Sequence, residues 1–410
     1  MDILIKPSTL KGKLDIPASK SCAHRAVICA ALADGTSKLS GITMSKDIEA
    51  TINAMKSLGA SFEIRENEIT VNGTNGKFRG QADIDCNESG STLRFVIPIA
   101  AALGVHAVFR GKGRLPMRPV DIYIRELSEH GIKFIRDKMP YEIDGRLCGG
   151  TYKIEGNVSS QFITGLLFAL PLVQEDSTII MTSRLESRPY VDITIDILRR
   201  FGIVINETES GFAVKGGQAY TPCNEHVEGD YSQAAFFYVA NALGSQVEID
   251  NLNPDSVQGD KRIIELIDSA CENGEIKGYK ADCSDIPDLV PILSVLGAYG
   301  SNPSLIYNAE RLRIKESDRL AACADMLNKL GGNVSVTADG LDIQPVKQLH
   351  GGIIDSFGDH RIVMAAAVAA LRCNGEVIIK NAEAAEKSYP DFFKDYIMLG
   401  GNADVIDLEK

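Results

Sequence analysis

Hydrophobic and polar positions follow one recurring order along the chain. A helix of small residues that ends in a pair such as Ala31-Leu32 or Ala169-Leu170 is followed by a turn and then by a β-rich run such as STIIM from Ser177. A second, amphipathic helix follows, near an acidic residue. These acidic residues are Asp47, Asp121, Asp192, Asp260, Asp318 and Asp391. They lie on average about 69 residues apart, so six repeats of one size account for the 410 residues.

The second helix of a repeat usually stops at a glycine, and a strand comes next. Helices are expected over residues 121–131 and 192–202, because a final glycine suits the left-handed residue that closes a helix. Strands are expected from Ile132, Ile203 and Asn333. The alternation predicts an α/β (α+β) fold. Division of six repeats as three plus three predicts two similar domains with the active site in the cleft between them.

Composition and charge narrow the function. There are 55 acidic and 43 basic side chains, and a net charge of −12 argues against general binding to nucleic acid or anionic membranes. The longest apolar run, residues 95–105, is 11 residues long, whereas a membrane helix needs about 20. Nine scattered cysteines without a CxxC or Cys/His cluster predict reduced thiols and no zinc site. We expect a cytoplasmic protein, since the start of the chain also lacks the features of a signal peptide.

Four segments in the first half combine hydroxyl, glycine and basic residues. They are residues 17–21, 88–94, 114–119 and 159–161. Three of them precede a helix, where backbone N–H groups suit a phosphate or a carboxylate. Simple helix capping explains any one of them equally well. Several together, with added Lys and Arg, favour an anionic small-molecule substrate.

The second half has comparable charged segments. They are residues 285–288, 311–319, 358–361 and 386–391. If Lys315 and Arg319 are helical, their spacing places them on one helix face. A charge run of this kind is usually a solvated helix start, and a single histidine such as His360 is more often structural than catalytic.

Taken in order, these segments resemble the 5-enolpyruvylshikimate-3-phosphate synthase family. The motifs are PASKSxxxR from Pro17, ESGSTLR from Glu88, LPMRP from Leu115, SSQF from Ser159, SRPY from Ser187, IPD from Ile286, KESDR from Lys315, GDHR from Gly358 and EKSYPDF from Glu386. The match runs from about residue 6 to 396. The resemblance implies two domains of three βαβαββ units each. One comprises residues 16–227, and the other combines 228–410 with the N-terminal strand, residues 1–15.

The implied reaction transfers the enolpyruvyl group of phosphoenolpyruvate to the 5-hydroxyl of shikimate 3-phosphate and releases phosphate, without metal, cofactor or covalent enzyme adduct. The resemblance makes Asp288 the base that deprotonates the hydroxyl, Glu316 the acid that protonates the methylene carbon, and Lys20 a third catalytic residue. The implied shikimate 3-phosphate site comprises Lys20, Ser21, Arg25, Ser159, Ser160, Gln161, Ser187, Tyr190, Asp288 and Lys315. The implied phosphoenolpyruvate site, where glyphosate binds in this family, comprises Lys20, Gly90, Arg118, Gln161, Arg319, Arg361 and Lys387.

Three positions depart from the family pattern. Glu88 stands where Asn is common, Phe95 replaces a frequent Pro, and Arg311 stands where Asn is frequent. An acid at position 88 would repel a bound anion unless Arg118 or Arg94 pairs with it.

Two alternatives remain at this point. The related UDP-N-acetylglucosamine enolpyruvyl transferase has a cysteine in the loop before its RP-V-D segment, and residues 87–147 contain none. A catalytically inactive anion-binding module would require loss of Lys20, Asp288, Glu316 or Lys387, and all four are present. The expected partners are small-molecule substrates, and we expect a monomer.

Overall fold

The computed structural model describes residues 1–66, 68–78 and 80–406. The chain divides into two compact units. The N-unit is Ala18–Glu228, and the C-unit combines Met1–Pro17 with the chain from Gly229 onward. The domain boundaries expected from the sequence, after residues 15 and 227, remain a prediction.

The chain opens with two strands of the C-unit, β1 (Asp2–Lys6) and β2 (Lys11–Asp15). The strands of the N-unit are β3 (Thr36–Ser40), β4 (Ser61–Arg65), β5 (Glu68–Asn72), β6 (Gln81–Asp85), β7 (His106–Arg110), β8 (Ile132–Arg136), β9 (Tyr141–Gly145), β10 (Gly150–Ile154), β11 (Ser177–Met181), β12 (Ile205–Thr208), β13 (Gly211–Val214) and β14 (Asn224–His226). Its helices are α1 (Lys20–Leu32), α2 (Lys46–Ser57), α3 (Gly90–Leu103), α4 (Asp121–Glu129), α5 (Ser160–Ala169) and α6 (Arg188–Arg200), with 3₁₀ helices at Leu115–Met117 and Leu170–Leu172.

The C-unit continues the same alternation. Its further strands are β15 (Gln246–Asp250), β16 (Cys271–Glu272), β17 (Glu275–Ile276), β18 (Lys280–Asp282), β19 (Ser304–Tyr307), β20 (Asn333–Val336), β21 (Leu341–Gln344), β22 (His350–Asp355), β23 (Asn374–Lys380) and β24 (Asn402–Ile406). Its helices are α7 (Tyr231–Ala242), α8 (Ile263–Ala270), α9 (Val290–Ala298), α10 (Arg319–Lys329), α11 (His360–Ala370) and α12 (Phe392–Met398). The 3₁₀ helices are Gly259–Arg262, Pro287–Leu289, Glu310–Ile314 and Ala382–Lys387.

The sheets repeat one topology. In β6-β7-β9-β8, for example, β6 and β7 are parallel and the other two pairings are antiparallel. The sheets β14-β3-β5-β4, β10-β11-β13-β12, β18-β19-β21-β20 and β22-β23-β1-β24 follow the same order. Strands β2 and β15 form a parallel pair, and β16 and β17 form a short antiparallel one. The two-domain α/β fold expected from the repeats is therefore confirmed.

Buried helices carry the segments that the sequence singled out. Helices α3 and α5 pack on each other in the N-unit, and α7, α9 and α11 pack together in the C-unit. These helices are apolar on all sides after their first residues, so they are buried almost completely. The polar side chains at their first turns are consequently placed at the edge of a core.

Most predicted elements are found, with two corrections. Gly131 and Gly202 follow α4 and α6 with φ of 95° and 81°, the closing conformation that only glycine adopts easily. Helix α6 starts at Arg188, because Pro189 suits a first turn, so Asp192 lies inside the helix and does not begin it. The next strand starts at Ile205 and not at Ile203.

Lys315 and Arg319 do not share a helix, so the condition under which they would lie on one helix face is not met. Lys315 ends the 3₁₀ helix Glu310–Ile314, and Arg319 begins α10. The break arises because the Asp318 carboxylate accepts a hydrogen bond from the Ala321 amide and caps a new helix.

None of the helices in the described part of the chain is long and apolar enough to cross a bilayer. All nine cysteines are free thiols.

The N-terminal strand completes a sheet made from the end of the chain. Strand β1 pairs antiparallel with both β23 and β24, with Ile5 opposite Val377 on one side and Ala403 on the other. Ile3 and Ile5 are buried, so this strand supplies core side chains to the C-unit.

We expect Ile5→Ala to lower the free energy of unfolding by about 2–5 kcal/mol, because a fully buried side chain leaves a cavity. Val405→Ala in the same sheet removes a side chain that is 70% exposed and should cost less than about 0.5 kcal/mol. Urea denaturation of both variants measures the difference. Equal, small effects would contradict the placement of β1.

Candidate active site

Four helices of the N-unit begin with a capping serine, and three of these serines lie in segments that the sequence singled out. The hydroxyl oxygens of Ser19, Ser89 and Ser159 accept hydrogen bonds from backbone amides within the first turns of α1, α3 and α5, at 3.4, 3.2 and 3.3 Å. A helix start has four backbone N–H groups without an intrahelical partner, and a cap satisfies one or two of them. Capping therefore leaves backbone N–H donors for an anion. The segments can cap a helix and bind an anion at the same time.

Lys20 forms an ion pair that the sequence did not suggest. Its ammonium nitrogen lies 2.8 Å from a carboxylate oxygen of Asp47, in the first turn of α2. The two side chains are 18% and 13% exposed, so the pair is sheltered but within reach of solvent. In the sequence Asp47 stood out only as an acidic helix start, since 27 residues separate it from Lys20.

Arg25 is buried and ties α1 to α6. Its guanidinium donates to the carbonyls of Ser21 and Tyr190 at 2.6 and 2.8 Å, and to the Thr194 hydroxyl at 2.8 Å. Burial lowers its pKa to about 10, so the group stays cationic at neutral pH. The Phe95 ring lies 5.3 Å below the guanidinium, and this cation–π contact gives the departure at position 95 a structural role.

A second guanidinium connects three further segments. Gln161 accepts a hydrogen bond from Arg94 at 2.7 Å and donates to the Ser91 hydroxyl at 2.9 Å. Arg94 also donates to the Pro119 carbonyl at 3.0 Å, next to Arg118. Arg94 lies within the ESGSTLR motif but was not among the predicted site residues.

The Arg118 guanidinium packs directly on Gly90. A Cβ atom at position 90 would overlap Nη1 of Arg118, whose side chain is nearly buried, so the guanidinium would have to shift. The Glu88 carboxylate lies against Gly113 in the neighbouring loop, where a Cβ would be 2.5 Å from it. Gly90 thus brings a helix start and a guanidinium together.

Ser187 adopts a left-handed conformation that is unusual for serine. Its φ is 56°, and its carbonyl accepts a hydrogen bond from the Tyr190 amide at 3.0 Å where α6 begins. Such backbone strain often marks a functional position. The predicted residues Lys20, Ser21, Arg25, Gly90, Arg118, Ser159, Ser160, Gln161, Ser187 and Tyr190 all belong to the N-unit.

In the C-unit, Asp288 accepts hydrogen bonds from two arginines. One carboxylate oxygen accepts a hydrogen bond from Arg319 at 2.8 Å, and the other accepts one from Arg361 at 2.8 Å. Burial opposes ionisation of Asp288, but the charges of Arg361, Arg319 and Lys315 outweigh it. The pKa of Asp288 therefore lies far below its ordinary value, and the group is ionised.

Arg319 binds two other carboxylates besides Asp288. It donates to Glu316 at 2.7 Å and to Asp359 at 2.8 Å, and its own side chain is 2% exposed. Asp359 also accepts from the Ser317 hydroxyl and caps α11 through the Arg361 amide. Asp359 lies in the GDHR motif and was missed as a site residue, because only the fold shows that it holds Arg319.

Two lysines complete the charged set of the C-unit. Burial lowers the pKa of Lys315 to about 8, against the attraction of Asp288. Lys387 donates to the Gly358 carbonyl at 2.8 Å, at the start of α11. Arg311, the third departure from the family pattern, donates to the Ser284 carbonyl. The predicted residues Asp288, Lys315, Glu316, Arg319, Arg361 and Lys387 all belong to the C-unit.

Within residues 1–66, 68–78 and 80–406, no three His, Cys, Asp or Glu side chains converge in a way that suits a metal ion. The arrangement in both units is instead one of guanidinium, ammonium, hydroxyl and helix-start N–H donors, which suits phosphate and carboxylate groups.

Comparison with known proteins agrees with this chemistry. The family model for EPSP synthase (3-phosphoshikimate 1-carboxyvinyltransferase) matches residues 4–396. A 3-phosphoshikimate 1-carboxyvinyltransferase of Clostridium perfringens is 46% identical over 97% of this chain and 98% of its own length. The protein of that name from Clostridioides difficile is 43% identical over 99% of both chains.

Solved structures agree in fold. EPSP synthase from Acinetobacter baumannii superimposes with a TM-score of 0.83 at 24% identity, covering 99% of this chain and all of the other. The enolpyruvyl transferase NikO from Streptomyces tendae gives 0.78 at 16% identity, covering 98% of each chain.

We expect Arg319→Met to lower the free energy of unfolding by about 3–5 kcal/mol, because the substitution leaves buried carboxylates without their cation. Arg313→Met is the matched control. Arg313 forms a partly exposed pair with Asp318 at 3.4 Å, and its loss should cost less than about 1 kcal/mol. Chemical denaturation distinguishes them, and similar losses would contradict a central role for Arg319.

Proposed function

Because this chain belongs to the EPSP synthase (3-phosphoshikimate 1-carboxyvinyltransferase) family, it transfers the enolpyruvyl group of phosphoenolpyruvate to shikimate 3-phosphate, and we propose that the two sets of residues described above bind and activate these anions. Transfer to UDP-N-acetylglucosamine is not favoured. One observation carries the assignment of roles. Arg319 and Arg361 both donate hydrogen bonds to the Asp288 carboxylate, and the same guanidinium groups suit the carboxylate or phosphate of an anionic ligand.

The first role of the site is to offset negative charge. Two polyanions must meet on a protein whose net charge is −12, so cations have to be concentrated locally. The addition intermediate bears a phosphate and a carboxylate on one carbon. Fixed guanidinium and ammonium groups stabilise such charge without reorganising.

The N-unit contributes residues to the binding of both substrates, the acceptor shikimate 3-phosphate and the donor phosphoenolpyruvate. We assign Ser21, Arg25, Ser159, Ser160, Ser187 and Tyr190 to shikimate 3-phosphate, and Gly90 and Arg118 to phosphoenolpyruvate, with Lys20 and Gln161 serving both. Two links support this grouping, because Arg25 joins Ser21 to Tyr190 and Arg94 joins Gln161 to the loop that carries Arg118. Arg25 accordingly acts by positioning Ser21 and Tyr190 as well as by its charge.

Asp288 acts as the base in this proposal. A carboxylate held by two guanidiniums is ionised but weakly basic, whereas proton transfer needs greater proton affinity. Phosphoenolpyruvate bound to Arg319 and Arg361 would offset their charge at Asp288. The donor would thereby raise the basicity of Asp288 when the 5-hydroxyl is present, so that the base is activated only in the complete complex.

Glu316 acts as the acid. It shares Arg319 with Asp288, so donor binding at Arg319 acts on both carboxylates. In the addition step the 5-hydroxyl oxygen bonds to C2 of the donor, Asp288 takes the hydroxyl proton, and Glu316 gives a proton to C3. Elimination then returns a proton from the new methyl group to the Glu316 carboxylate and breaks the C2–O bond to phosphate, which leaves with the bonding electrons and takes up the proton held by Asp288. Lys315 assists binding of the acceptor, and Lys387 that of the donor.

Several expectations from the sequence remain predictions. They are a cytoplasmic location, a monomeric state, a reaction without metal or cofactor, and domains of residues 16–227 and 1–15 plus 228–410.

A phosphate-release assay with each substrate omitted in turn tests the function, and two variants test the roles. Asp288→Asn should lower turnover by about 100-fold or more while shikimate 3-phosphate still binds, since the amide keeps the shape and loses the base. Lys20→Met should lower turnover and also weaken binding, because a cation shared by both substrates is lost.

The exposed residues Asp404 and Lys56 provide matched controls, and Asp404→Asn and Lys56→Met should leave both turnover and binding unchanged. Calorimetric titration of shikimate 3-phosphate separates binding from chemistry. More than about a tenth of wild-type turnover in Asp288→Asn would rule out Asp288 as the base.

We expect Gly90→Ala to raise the inhibition constant of glyphosate more than the KM of phosphoenolpyruvate. The new methyl group would displace the Arg118 guanidinium, and glyphosate, which occupies the donor position in this family and reaches further, should meet the change first. Gly244→Ala is the control, because Gly244 has φ of 103° and open space around it, so only stability should fall. Equal proportional losses for both ligands would contradict the proposed contact.

A further inference from the structure

A buried carboxyl group lies in the C-unit without a role in the reaction described above. Asp260 is 3% exposed and belongs to the 3₁₀ helix Gly259–Arg262, just before α8. Its carboxylate accepts a hydrogen bond from the Ser232 hydroxyl in the first turn of α7. In the sequence Asp260 stood out only as one of the acidic residues that recur near helix starts.

Packing arranges Asp260 and two residues that we assign to the reaction around the same helix. The 3₁₀ helix that carries Asp260, the 3₁₀ helix Pro287–Leu289 and α11 all pack against α7. Asp288 lies on the second of these elements and Arg361 on the third. Both interact electrostatically with Asp260.

On balance, the surroundings of Asp260 disfavour ionisation of its carboxyl group. Burial and then the charge of Asp288 raise the pKa of Asp260 to about 7, with a further contribution from Asp230, against the attraction of Arg361 and the hydrogen bond from Ser232. The Cys283 thiol also interacts with Asp260, but burial raises the pKa of that thiol, so it remains neutral. The pKa of Asp260 therefore lies in the range where its charge responds to pH near neutrality.

We propose that Asp260 is a positioning residue for the transfer reaction, and that its carboxyl group sets the net charge which Asp288 and Arg361 present to the anionic donor. This inference rests on the proposed function. When Asp260 carries its proton, the charge of Arg361 is available to the phosphate or carboxylate of phosphoenolpyruvate. When Asp260 is ionised, it offsets part of that charge and repels the donor.

The first test compares the KM for phosphoenolpyruvate in the wild type and in Asp260→Asn between pH 5.5 and 8.5. The ratio of wild-type to variant KM should rise about fivefold or more as the pH passes 7. Ionisation of the donor phosphate affects both enzymes and cancels in the ratio. Asp255→Asn removes an exposed carboxylate from the preceding loop, and its ratio should stay constant.

Ser232→Ala gives an independent test, because it keeps the carboxyl group and removes a hydrogen bond that favours the ionised form. The midpoint of the KM transition should move to higher pH. A merely structural role would lower activity without moving the midpoint. The Ser232→Ala result also decides the matter if Asp260→Asn does not fold.

Thermal unfolding supplies a readout that does not need activity. In an unfolded chain Asp260 ionises near pH 4, whereas the folded protein holds the proton up to about pH 7. The wild type should therefore lose stability relative to Asp260→Asn as the pH rises from 4 to 7, and the difference in Tm should then level off.

An unmoved KM midpoint in Ser232→Ala, a constant KM ratio for Asp260→Asn, or a Tm difference independent of pH would each overturn the role of Asp260. By contrast, a folded wild type that releases no phosphate with both substrates present would contradict the proposed function itself.

Discussion

The contact between one guanidinium and three carboxylates determines the arrangement of charge in the C-unit. Arg319 is almost entirely removed from water, and a buried cation is tolerable only when anions and hydrogen bonds surround it. Asp288, Glu316 and Asp359 come from three separate segments, so a single side chain fixes their relative positions. The planar fork of arginine makes this possible, since a lysine ammonium offers no such fixed geometry.

The N-unit uses the same device with carbonyls as acceptors. Arg25 joins the backbone of Ser21 to that of Tyr190, and Arg94 joins Gln161 to the loop at Pro119. Arginine side chains thus hold helix starts from distant parts of the sequence in fixed positions relative to one another. Packing of apolar helices brings these ends near one another, and hydrogen bonds with defined directions then fix the details.

Much of this structure was predictable because it is encoded locally. The repeated pattern predicted the helices and strands, and capping serines such as Ser19 predicted helix starts. Contacts such as Lys20–Asp47 and Arg319–Asp359 were not predictable, since they join residues 27 and 40 positions apart through tertiary packing. The condition that Lys315 and Arg319 share a helix is not met for a local reason, namely that a carboxylate between them starts a new helix. The sequence therefore predicted which types of residue form the site, but it did not predict the residues with which they form ion pairs and hydrogen bonds.

The pairing of β1 with β23 and β24 has a consequence for biosynthesis. A ribosome delivers a chain from its N-terminus, so β1 is made before the N-unit, which is one continuous segment, and its partners β23 and β24 are made after that unit. The strands that cover Ile3 and Ile5 in the folded protein are therefore absent until residues 374–406 have been made, and these two apolar side chains lack their native neighbours while the N-unit is synthesised.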